Sequence, residues 1–292
     1  MGFQVGRHGP ALSPWRRTVR CLLLAAISSY AARAAAQDSG AGNPPSATDP
    51  SATTNSPAAS AGPGWHAALG PGGYMLPRYP GARQTRTVPF PFVDAEVAGR
   101  WYTSGSDILG VYGYKTNATQ LGTALEYDLT SRKSTDDSRL RDLPDVKQTT
   151  RLKVFGSQTV QMITVDANVA RDIAGGRAGT LGQANLWLTL PLDPTFSVSA
   201  GPGLTWSDRQ YMQAFFAITP AEAQASLLPA FFARAGLSDA HLNTLAQWQI
   251  ARRYELGVLA CTAHLRGSAL QSPIALQHEQ TTVTGWLAYR FN

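Results

Sequence analysis

The last strand-like stretch of the chain constrains its fold more than any other feature. From Thr281 to Phe291, Val283, Gly285, Leu287, Tyr289 and Phe291 fall on one face. Thr282, Thr284, Trp286, Ala288 and Arg290 fall on the other. A period of two marks a strand with one greasy and one mostly wetter face. Many bacterial outer-membrane barrels close on a strand of this kind that ends in an aromatic. Leu287, Tyr289 and Phe291 are therefore read as a barrel-closing signal.

The same alternation recurs upstream. Leu121, Thr123, Leu125, Tyr127 and Leu129 oppose Gln120, Gly122, Ala124, Glu126 and Asp128. Ile163, Val165, Ala167 and Val169 oppose Thr164, Asp166 and Asn168, and Leu186, Leu188 and Leu190 oppose Asn185, Trp187 and Thr189. Segments of about ten residues, apolar on one side and polar or small on the other, are the signature of a transmembrane barrel. A soluble sandwich also alternates. It seldom combines repeated segment length with a secretory signal and a closing aromatic. Aromatics near segment ends, among them Trp101, Tyr102, Tyr112, Tyr114, Trp206, Tyr211 and Tyr254, predict girdles at the two membrane interfaces.

The first 36 residues read as a signal peptide. Arg16, Arg17 and Arg20 form a basic region, Cys21–Ala32 is a short apolar run, and Ala34–Ala36 offers a small-residue cleavage site. Residues 37–64, rich in Ala, Ser, Pro and Thr, read as a disordered linker, and residues 65–292 as the barrel. The basic balance is misleading. Arg7, Arg16, Arg17, Arg20 and Arg33 belong to the presumed signal, where no acid lies. Removing those five from 25 Lys+Arg against 19 Asp+Glu leaves 20 against 19. Nucleic acid is therefore not an expected partner. Cys261 alone would remain after cleavage, which excludes an intrachain disulfide.

The spacing of turn signals predicts topology. Short links are expected near Lys115–Thr119, Gly156–Gln158, Pro191–Thr195 and Ala251–Arg253. Long links are expected at Ser131–Lys147, Arg171–Thr180, Asp208–Ser238 and Arg266–His278. Alternating short and long links match periplasmic turns and extracellular loops. Ten strands follow from Val88 to Phe291, and Trp65–Met75 adds an eleventh. An even number requires that segment to form a short hairpin, giving twelve, or to lie in the lumen or under the barrel, leaving ten. Twelve is preferred. The fold class is thus all-β, an antiparallel transmembrane barrel of 10–12 strands. In its longest loop, Thr219, Pro220 and Glu222 form a capping box that predicts a short helix.

The segment Tyr211–Ser226, with Tyr211, Phe215, Phe216, Thr219, Pro220 and Glu222, resembles the MipA/OmpV family of outer-membrane proteins. Gly201–Trp206, Ala235–Leu237, Ser272–Ile274 and Tyr289–Phe291 fit the family in order, as do Tyr79–Gly81, Pro89–Pro91 and Leu140–Leu143. There are departures: Ala82–Arg86 is basic where the family tends to be acidic, and Asn292 follows the closing Phe291. The resemblance implies a barrel of the Gram-negative outer membrane, embedded in its lipid and acting through partners. The family takes its name from a scaffold that joins a lytic transglycosylase to a penicillin-binding murein synthase. Other members are linked to adhesion or envelope stress. The resemblance implies no cofactor and no enzymatic activity.

The residues themselves offer little chemistry. His241 and Asn243 share the lumen face of one strand, but no Ser stands beside them in a hydrolase motif. Glu126 and Asp128 share a face and are balanced by Arg151 and Lys153. Scattered His residues suggest no metal site. A narrow channel is the main alternative to a partner-binding barrel. An adhesin and a lipid-modifying enzyme are further ones. Inward-pointing Trp187, Leu245 and Trp286 predict a plugged or narrow lumen.

Overall fold

The computed structural model describes residues 64–291 apart from 177 and 227. The expected signal peptide, and all of the expected linker except Gly64, lie outside the described residues. Twelve antiparallel strands close into a barrel in which each strand pairs with its neighbours in sequence and β1 pairs with β12. They are β1 (Trp65–Pro77), β2 (Thr85–Val97), β3 (Trp101–Ser104), β4 (Asp107–Lys115), β5 (Thr119–Asp128) and β6 (Thr149–Val160). The second half comprises β7 (Ile163–Asp172), β8 (Thr180–Asp193), β9 (Phe196–Ser207), β10 (Gly236–Ala251), β11 (Tyr254–Leu265) and β12 (Glu279–Arg290). The seam is ordinary ladder: Leu69 sits opposite Tyr289, and the Phe291 amide donates to the Ala67 carbonyl at 2.9 Å.

The two faces are inverted relative to a water-soluble protein. On β7, Val165 and Val169 are 52% and 54% exposed, whereas Thr164 and Asp166 are 0% and 3% exposed. Apolar side chains outside and polar ones inside suit lipid around the wall and a polar lumen. Among the described residues, no helix is long and apolar enough to cross a membrane.

Twelve strands are present, but not by the predicted route. Trp65–Met75 neither folds into a hairpin nor lies in the lumen; it is a wall strand paired along its length with β2. The extra strand is β3, only four residues long, which turns at Gly105–Ser106 into β4. Gly156–Gln158 is not a link. It lies within β6, and the turn comes at Gln161–Met162, with Gln161 at φ 55°. Gly156 serves packing instead: a Cβ there would stand 2.8 Å from the Leu121 side chain of β5.

Both described termini and the short turns other than Gly105–Ser106 lie at one end, here the terminal end. The long links gather at the other, the loop end. There α1 (Arg209–Phe216) and α2 (Pro220–Ser226) follow β9, and α3 (Gly267–Gln271) follows β11. The capping box forms as predicted. The Thr219 amide donates to Glu222 Oε2 at 2.7 Å, and the Glu222 amide returns to Thr219 Oγ1 at 3.3 Å. Thr219→Ala should lower the stability of this loop by about 1 kcal/mol. Limited proteolysis within Asp208–Ser238 should become faster, and unchanged cleavage would refute this role for the cap.

Candidate functional site

A lid covers the loop end, and the lumen lies beneath it. In the lid, Met212, Phe215 and Phe216 of α1 are buried against Ala178, Ala233, Leu265 and Ala269. Tyr211 stacks near Phe215, their ring centroids 4.6 Å apart. The helix begins because Asp208 accepts a hydrogen bond from the Tyr211 amide at 2.8 Å. Its last carbonyls are satisfied from other loops. Arg132 Nη1 donates to the Phe215 carbonyl at 3.1 Å, and Ser272 Oγ donates to the Phe216 carbonyl at 2.6 Å. A second cluster joins Tyr79, Leu140, Leu143, Ile218 and Ile274, so five separate links contribute to the lid. Burial, with the charge of Asp137 nearby, pushes the Tyr79 phenol up to about 12. Burial likewise raises Tyr211 and lowers Arg132.

Of the residues singled out from sequence, Tyr211, Phe215 and Phe216 lie inside the lid, and Thr219 and Pro220 lie on its surface. Glu222 is half-buried beside its cap partner Thr219. Leu287 faces outward on β12, and Tyr289 packs edge-on against both Tyr254 and Phe291. With exposed Trp65, Trp101 and Trp248, these form an aromatic girdle at the terminal end. Tyr102 and Tyr112 do not join a girdle. They point into the lumen and stack at 4.6 Å, because Tyr102 Oη donates to buried Asp107 Oδ2 at 3.1 Å.

The lid is tied to the lumen by Arg151 of β6, which is 1% exposed. Its guanidinium donates to the carbonyls of Gly179 and Ala178 at 2.8 and 2.9 Å and pairs with Asp128 at 2.9 Å. Its charge also lies 5.9 Å from the centroid of the Tyr211 ring. Deeper, Lys153 Nζ lies 2.6 Å from Asp107 Oδ1. Asp166 accepts from Asn185 Nδ2 and Trp187 Nε1, both at 2.8 Å. His241 is held between Asp239 at 2.8 Å and Asn185 at 2.9 Å, and Asn243 donates to the same Asn185 oxygen at 3.1 Å. Sequence placed His241 and Asn243 together but missed Asn185, which comes from a distant strand. Among the described residues, no serine hydroxyl is bonded to His241, and no cluster of His, Cys, Asp and Glu suits a metal ion.

Towards the terminal end an aromatic cluster, here the plug, packs inside the lumen. Phe92 and Trp286 stack at 5.0 Å and pack with Trp187, Leu245, Ala68 and Ala288. The indole of Trp286 lies flat on Gly257, where a Cβ would come within 2.1 Å of the ring. Between this plug and the lid lies a cavity of about 430 Å³, bounded below by Phe92 and Trp286 and above by Tyr79 and Tyr211.

The model of the family described as MltA-interacting protein MipA matches residues 69–291. No curated protein sequence matches the chain. Among solved structures, it is similar to the outer membrane channel DcaP of Acinetobacter baumannii, at 9% identity over 78% of this chain and 96% of that one, with a TM-score of 0.35. It is also similar to the outer membrane protein OprD from Pseudomonas aeruginosa, at 11% identity over 76% and 65% of the two chains, with a TM-score of 0.34. In-vitro folded OmpT of Vibrio cholerae matches at 8% identity over 78% and 96%, with a TM-score of 0.33.

Proposed function

The chain belongs to the MltA-interacting protein MipA family, and from that premise we propose that it is a non-catalytic scaffold of the outer membrane. Its partners in this reading are a lytic transglycosylase and a penicillin-binding murein synthase. The observation that carries the reading is the family match over residues 69–291, and the aromatic plug across the lumen is in keeping with a barrel that works through its surfaces. In this reading the terminal end faces the periplasm, so its short turns lie on the side where murein enzymes act. Thr219 and Pro220 stand on the opposite face and would meet partners outside the cell.

Cross-linking intact outer membranes and purifying the tagged mature protein tests this. Recovery of a lytic transglycosylase or a murein synthase above control is the expected result. Well-folded barrel that repeatedly yields neither enzyme overturns the scaffold.

A further inference from the structure

The wall is closed by hydrogen bonding over only part of its height. β3 pairs with Asp94–Val97 of β2 and stops. On that side, no described strand pairs with Thr85–Val93. The orientation of the free edge follows from register. Pro71 of β1 sits opposite Pro91 of β2, and neither residue has an N–H to exchange. That position is therefore a non-hydrogen-bonded pair, and the odd-numbered residues of β2 turn their backbone groups away from β1. Pro89 and Pro91 occupy two of those positions, so this edge lacks two donors. Proline in a sheet is confined to such edges.

The gap stands at membrane height. Outward residues of β1 run from Trp65 through Leu69 to Met75, about the 9–11 residues of a spanning strand. Met75 lies opposite Thr87, which places Pro89–Val93 within the apolar belt. Unpaired backbone at membrane depth is tolerated only where it is buried in protein or lines a cavity, so this edge marks the mouth of one.

The cavity reaches this gap. It is lined by Ser104–Ser106 of the short hairpin and by Tyr127, whose side chain is exposed on the outer face of β5. Inside, Tyr74, Phe90, Phe92, Leu245, Leu259 and Trp286 supply a largely apolar surface. Its volume of about 430 Å³ falls in the range of ligand sites, about 300–1,000 Å³. An apolar cavity that opens sideways into hydrocarbon selects a ligand already dissolved there.

We propose that this cavity binds the hydrocarbon chain of an outer-leaflet lipid, which enters through the gap between β2 and the β3–β4 turn. The polar headgroup remains outside near Tyr127, and the chain lies against Phe90 and Leu259 above the aromatic plug. The site is independent of the scaffold reading.

Photo-cross-linking in phosphatidylethanolamine vesicles with labelled acyl chains tests it. Benzoylphenylalanine is placed at Leu259 or Gln247, which line the cavity, at Arg290, on the lumen face of β12 four residues nearer the terminal end than Trp286, and at outward Leu69. Folding of each variant is checked by heat-modifiable electrophoretic mobility. The expected result is lipid adduct at Leu69 and at the cavity positions and none at Arg290. Adduct at Leu69 alone overturns the site. Adding Ser106→Trp at the gap should abolish adduct at Leu259 and leave that at Leu69 unchanged. Undiminished adduct at Leu259 overturns the lateral route and shows that the ligand arrives through the lid.

Discussion

Lys153→Met should destabilise the barrel by about 3–5 kcal/mol, the range for a buried ion pair that loses one partner. Lys153 and Asp107 are 1% and 0% exposed, with 2.6 Å between Nζ and Oδ1. Without the ammonium, Asp107 retains the hydroxyl of Tyr102 but no neutralising charge in that ion pair. The pair also spans the wall: Asp107 opens β4, Lys153 lies on β6, and β5 runs between them. Its loss should therefore loosen the short β3–β4 hairpin first, seen as faster hydrogen exchange there than in β7–β9. Asp107→Leu combined with Lys153→Met should recover most of the stability, since an apolar pair of similar volume carries no stranded charge. Urea unfolding of the vesicle-inserted barrel measures both. A single variant within about 1 kcal/mol of the native protein would show that the pair is dispensable.

The plug gives the second large effect. Trp187→Ala removes a side chain 1% exposed and should lower stability by about 3–5 kcal/mol, the range for truncating a core Trp. It also deprives Asp166 of its indole donor. In planar bilayers the native barrel should be silent. The double variant Trp187→Ala with Trp286→Ala removes both indoles from the plug and should give reproducible single-channel steps. Conductance by the native protein would displace the scaffold in favour of a narrow channel. A folded but silent double variant would move the block from the plug to the lid.

Much of this was legible in sequence because a membrane barrel makes opposite demands on adjacent residues. Lipid on one side and a polar lumen on the other forced the alternation seen from Leu121, Ile163 and Thr281 onward. The same parity sent Trp187, Leu245 and Trp286 inward. The short helix was legible because Thr219 and Glu222 cap it locally. What escaped depended on long-range contact. α1 is stabilised by Arg132 and Ser272 from other loops, so its own residues announce little. The turn at Gln161–Met162 carries neither Gly nor Pro, while Gly156, which resembles a turn signal, makes room for Leu121. β3 is too short to show a period. The partner of Lys153 sits in another hairpin, and Asn185 of β8 reaches His241 of β10 over Gly203 of the strand between them.

Pro89 and Pro91 have a consequence for how the protein behaves in a crowded membrane. An exposed strand edge ordinarily templates another strand, from a neighbouring barrel or from an unfolded chain. Here two consecutive edge positions offer no N–H, so an incoming strand loses two rungs of its ladder. The opening is thereby kept from being zipped shut by another copy of the chain. Pro89→Val with Pro91→Val would restore those rungs, turning a wall with a doorway into an edge prone to join neighbouring barrels.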